Sequence, residues 1–163
     1  MGRVAPLGAV AAGLLAGLAG TAAMTAYQEL LSSGDSEKEK SWEDAPAPAQ
    51  VARRLLKGVF RQDISVEKIP LLTNVVHWTY GTAWGVVYGL VQGTVRANPV
   101  LHGLLFGSGV WAMSYVQLVP MGLYEPPWEY PAKTIAKDVS YHLVYGLGVA
   151  TAYETVDQMS KRV

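Results

Sequence analysis

Between Lys68 and Arg96 the chain carries no charged residue, and this run constrains the fold more than any other feature. At 1.5 Å per residue, a helix through it is longer than the roughly 30 Å hydrocarbon layer of a bilayer. Read at helical spacing, His77, Tyr80, Gly81, Trp84, Gly85, Tyr88, Gly89 and Gln92 form one stripe. Val75, Val76, Thr79, Ala83, Val86, Val87 and Leu90 make the other face. The spacing predicts an apolar helix with one face of glycines, aromatic rings and a histidine.

The distribution of charge extends this reading to the whole chain. Only 16% of the 163 residues are charged, against about 25% in an ordinary soluble domain, and the net charge is zero. Thirteen basic and thirteen acidic residues are present, and fourteen of these twenty-six fall between Asp35 and Lys68. That segregation predicts a membrane domain with one sizeable aqueous loop, residues 32–70. Balanced charge offers no basic field for nucleic acid. The absence of cysteine excludes disulfides, a thiol nucleophile and cysteine metal sites.

Four spans are expected, at about 4–31, 71–95, 99–123 and 132–159. The first is dominated by alanine and glycine, with Gly13-x-x-x-Gly17 and then Gly20, Thr21 and Met24 on one face. Such residues let backbones approach closely in lipid. A signal peptide is the alternative for this segment. Within the loop, residues 50–60 form an amphipathic helix with Val51, Leu55, Val59 and Phe60 to one side and Arg53, Arg54, Lys57 and Arg61 around the rest. It lies either in the headgroup layer or packed on the bundle. Asn98-Pro99 starts the third span, which holds Gly103-x-x-x-Gly107, and Pro120 kinks or ends it. Residues 124–131 make a rigid interfacial turn. The last helix has only fifteen uncharged residues, 139–153, so a re-entrant or surface helix is its alternative.

An internal repeat is visible. His77-x-x-Tyr80-Gly81 recurs as His142-x-x-Tyr145-Gly146, with Tyr88 and Tyr153 eight residues beyond Tyr80 and Tyr145. A Trp-Glu pair precedes each copy, at Trp42 and Trp128. The fold expected is all-α: a transmembrane bundle of two parallel helix-loop-helix repeats, plus the amphipathic helix of the first loop. Ionisable groups inside spans usually face the bundle interior. Glu29, His77, Tyr80, His142 and Tyr145 therefore form the candidate polar cluster. Gly13, Gly17, Gly81, Gly85, Gly103, Gly107 and Gly146 are the candidate helix-packing positions.

From Val75 onward the sequence resembles the small bacterial inner-membrane family typified by YagU, a domain of unknown function. The resemblance rests on His77 with Tyr88, Gly103-Leu-Leu-Phe-Gly107, Pro120-Met-Gly-Leu123, Pro126-Pro127 and His142-Leu-Val. Trp42-Glu43 looks like part of the family's first loop, although the Pro-Pro-Arg expected there is replaced by Ala45-Pro-Ala-Pro. The resemblance implies a multi-pass protein of the inner membrane and carries no activity with it.

Three functions follow as expectations. The first is a non-enzymatic bundle in the lipid bilayer that assembles with itself or a membrane-protein partner and serves a small-solute or proton pathway, with no resident cofactor or metal. The second is a b-type haem protein with His77 and His142 as axial ligands. The third is an enzyme acting on a lipid-phase substrate, although no Gly-x-Ser-x-Gly, His-Glu-x-x-His or phosphate loop is present. Nine Lys or Arg lie in loops one and three, and Arg3, Arg96, Lys161 and Arg162 lie opposite. The positive-inside rule puts residues 32–70 and 124–131 in the cytoplasm.

Overall fold

A computed structural model describes residues 6–32, 41–94 and 98–160. Among these the fold is an all-α five-helix bundle: α1 Pro6–Leu31, α2 Ala47–Phe60, α3 Ile69–Thr94, α4 Pro99–Leu118 and α5 Ala132–Ser160. Short 3₁₀ turns occupy Val66–Lys68 and Pro127–Glu129. The polar stretch 33–40, Arg3, Arg96, Lys161 and Arg162 lie outside the described residues.

Local chemistry sets the helix ends. Asn98 Oδ1 accepts from the Val100 and Leu101 amides at 3.0 and 3.2 Å, with Pro99 in the first turn where its missing N–H costs nothing. The helix stops at Leu118, short of the expected 123, because Pro120 cannot continue the hydrogen-bond ladder. Gly122, at φ 62°, then reverses the chain, and the Leu123 amide returns to the Leu118 carbonyl at 3.0 Å. Helix α2 begins three residues earlier than the expected 50, with proline again in its first turn.

Only α1, among the described residues, combines the length and composition of a membrane crossing: Leu7–Leu31 contains a stretch of mean hydropathy 1.8. By those criteria it qualifies as a single span or a signal sequence. The helices matching the other three expected spans fall short of that standard. Histidine, asparagine, glutamine, glycine and aromatic rings dilute α3 and α4, and charged residues occupy both ends of α5.

The long helices alternate in direction around a common core. A Cβ on Gly13 would stand 2.6 Å from the Gly85 carbonyl oxygen, and one on Gly17 would stand 2.8 Å from the Thr82 Cα, so α1 and α3 touch backbone to backbone. A Cβ on Gly103 would stand 2.8 Å from the Gly146 carbonyl oxygen, and Gly107 faces the His142 carbonyl, which joins α4 to α5 in the same manner. All seven predicted packing glycines are buried in these two crossings. Helices α1 and α5 also close on each other, where Gly20 meets Val149 and Gly148. Helices α3 and α4 meet through rings instead. Trp84–Phe106 and Tyr88–Phe106 centroids are 6.2 and 4.9 Å apart.

Helix α2 is packed on the start of α3 through its N-terminal half. Ala45, Ala49 and Ile69 form the contact, flanked by Trp42 and Leu72. Alanines let the helix axis come closer than Leu55 or Val59 would. The Trp42 indole donates to the Ile64 carbonyl at 3.0 Å, and the Arg53 guanidinium sits 4.8 Å over its ring. Leu55, Val59 and Phe60 are left exposed.

Candidate functional site

Between the four long helices is a small, half-open cavity of about 50 Å³. Helix α1 contributes Thr21 and Met24, α3 His77, Tyr80 and Gly81, α4 Val110, and α5 His142 and Tyr145. Helices α3 and α5 run parallel. The Tyr145 hydroxyl donates to the Gly81 carbonyl at 2.6 Å and the Tyr153 hydroxyl to the Gly89 carbonyl at 3.3 Å, which ties the two helices at two levels. This alignment brings His77 and His142 to one depth.

The two histidines are held differently. His142 stands one turn after Asp138, and its Nδ1 lies 2.9 Å from the Asp138 carbonyl oxygen and 3.5 Å from Oδ1. Two acceptors at Nδ1 fix the proton there and leave Nε2 for the cavity. Asp138 is itself fixed from α4: its Oδ2 accepts from the Trp111 indole at 2.9 Å and the Tyr115 hydroxyl at 3.2 Å. Tyr124 and Tyr130 pack on the Tyr115 ring, with centroids 5.3 and 6.3 Å away. Burial pushes the Tyr124 phenol up to about 12, and the Asp138 charge and Tyr130 add to the shift. His77 has a looser tether, its Nε2 lying 3.4 Å from the Thr25 hydroxyl.

Four of the five residues of the predicted cluster therefore line one cavity, and the fifth does not. Glu29 is exposed near the end of α1, where water solvates its carboxylate at no desolvation cost. The two tyrosine hydroxyls of the cluster are engaged away from the histidines. Tyr145 uses its hydroxyl on Gly81, and Tyr80 donates outward to Gln117 Oε1 at 3.0 Å. Sequence reasoning missed Asp138 as the anchor of His142. The signal was present, since an acid four residues before a histidine faces it across one helical turn. Trp111, Tyr115, Thr25 and Gln117 come from other helices and left no local signal.

Tyr145 gives a direct test of this geometry. Tyr145→Phe removes a buried hydrogen bond and is expected to cost about 1 kcal/mol in reversible unfolding. Tyr88 is equally buried, but its hydroxyl has no hydrogen-bond partner among the described residues. Tyr88→Phe is expected to cause no loss in the same measurement.

The chain matches no protein-family model, and no curated protein or solved structure is significantly similar to it.

Proposed function

We propose that this chain is a non-enzymatic, multi-pass protein of the bacterial inner membrane, and that the His77–His142 cavity is a water-sized station on a proton or small-solute pathway. In this reading α1, α3, α4 and α5 cross the bilayer as two parallel helix-loop-helix repeats, α1 with α3 and α4 with α5. The observation that carries it is the apolar exterior of the bundle around a cavity bordered by two histidines. The lining of that cavity is otherwise mostly apolar, with the Thr21, Tyr80 and Tyr145 hydroxyls bonded to Gly17, Gln117 and Gly81. Leu14, Leu15, Leu18, Val75, Val87, Leu90, Leu101, Leu105 and Val116 are exposed on the outside of α1, α3 and α4. In water these large apolar side chains would be exposed to solvent, whereas lipid tails cover them. Part of what dilutes α3 and α4, including His77, Tyr88, Gln92 and His102, is turned into the bundle, while Asn74, Ser108 and Gln117 are exposed.

The resemblance to the YagU-like family supports the location. Positive charge supports the orientation: Arg53, Arg54, Lys57, Arg61, Lys68, Lys133 and Lys137 all belong to the end that carries α2, which the proposal assigns to the cytoplasm. The cavity volume suits a few waters. A bound macrocycle needs roughly 300 Å³ or more, so the geometry lends no support to haem. The glycine faces that motivated self-assembly are used within the chain.

Flux across proteoliposomes tests it. A pH-sensitive dye inside vesicles carrying the full chain is expected to report proton entry that His142→Ala and His77→Ala lower to the level of empty vesicles. Flux unchanged in both variants would remove the histidines from the pathway.

A further inference from the structure

The exposed face of α2 is a separate feature that the cavity does not explain. Helix α2 is held through its N-terminal half, where Ala49, with Ala45 just before the helix, packs against Ile69, and through the Arg54 guanidinium, which donates to the Met121 carbonyl just beyond α4. Toward its C-terminal end, past the contact with Ile69, Leu55, Val59 and Phe60 are 60%, 68% and 65% exposed, an arrangement unfavourable in water. Trp128, in the turn before α5, is 81% exposed. Cations border the apolar residues. From Ala45 to Gln62 the sequence contains Arg53, Arg54, Lys57 and Arg61 and no acid, and Asp63 just beyond pairs with Lys57 at 3.2 Å between two exposed side chains.

We infer that α2 is an interfacial helix that seats Leu55, Val59 and Phe60 at the boundary between headgroups and acyl chains and draws anionic lipid to the α2 end of the bundle. Charge and shape together favour this occupant. An amphipathic helix with cations beside its apolar residues has the layout of an in-plane membrane helix. Each Lys or Arg near an anionic surface contributes roughly a fivefold preference. Trp128 is the type of side chain that sits at headgroup depth. The inference rests on the bilayer reading proposed above, and it adds a lipid preference to it.

The absence of cysteine makes a clean experiment available. Single spin labels are placed at Leu55→Cys, Val59→Cys and, on the outward face of α1, Leu15→Cys. The full chain is reconstituted in phosphatidylcholine alone and in a mixture with phosphatidylglycerol. Accessibility to oxygen, which concentrates in acyl chains, is compared with accessibility to a water-soluble nickel complex. Oxygen is expected to dominate at all three positions, with a deeper signal at residues 55 and 59 in the anionic mixture. Adding Lys57→Gln and Arg61→Asn is expected to remove that deepening and leave the signal at residue 15 unchanged. Nickel dominance at residues 55 and 59, with oxygen dominance at 15, would overturn the inference and spare the spans. Nickel dominance at all three would overturn both readings. Equal depth in the two bilayers would overturn the lipid preference.

Discussion

Gly85→Leu is expected to keep α1 and α3 from packing. A Cβ at Gly85 would collide with the backbone of Gly17 and the carbonyl of Gly13, and no flexible side chain lies there to move aside. The helices must separate or slide, and the contacts around Gly81 and Gly89 go with them. Overpacking a core costs about 1–3 kcal/mol and occasionally more. A four-carbon side chain against two backbones falls at or above the upper end. The loss matters more in lipid, where packing rather than water exclusion holds helices together. The check is unfolding in mixed micelles, with Gly109→Leu alongside. Gly109 is exposed on α4 and has nothing within 4 Å of an added Cβ. Its variant is expected to unfold within about 0.5 kcal/mol of the parent. Equal behaviour of the two variants would refute the backbone contact.

Asp138→Ala is expected to be nearly as damaging, through unmet hydrogen bonding instead of volume. The variant strands the Trp111 indole N–H and the Tyr115 hydroxyl, each of which donates to Asp138. It leaves His142 Nδ1 with the backbone carbonyl as its one acceptor. A buried donor without a partner costs about 1–3 kcal/mol, so a loss of about 3 kcal/mol is expected from the pair. Asp138→Asn keeps an acceptor oxygen in place and is expected to lose about 1 kcal/mol. Equilibrium unfolding of the two variants separates the cases. Similar losses would show that Asp138 acts through charge and not through the donors it receives.

Much of the fold is legible along the chain because the signals are local. Uncharged runs mark α1, α3 and α4, and prolines and Asn98 mark their ends to within a few residues. The matching copies at His77 and His142 placed two histidines and two tyrosines at one depth, and they do line one cavity. What was left open or misplaced depended on direction. The sequence left α2 open between the headgroup layer and the bundle, and the structure packs its N-terminal half on the start of α3 through alanine. Glu29 was grouped with the histidines by its side of the bundle, yet it is exposed near the end of α1, away from the cavity.

The sequence by itself determined the helices, the stripe from His77 to Gln92 and its counterpart at His142, because periodicity and spacing are properties of neighbours along the chain. Only the tertiary structure decided how alike the sides of the bundle are. Trp84 precedes Val149 by 65 residues, the offset that relates His77 to His142, and Phe106 follows Gly20 by 86, the offset that relates Gly17 to Gly103. Where α1 and α5 close through Gly20 and Val149, α3 and α4 are held apart by the two rings. A glycine admits a backbone and a ring excludes one, but which pairs meet depends on residues far apart in the chain. The same dependence joins Asp138 on α5 to Trp111 and Tyr115 on α4, and so anchors one of the two histidines that line the cavity.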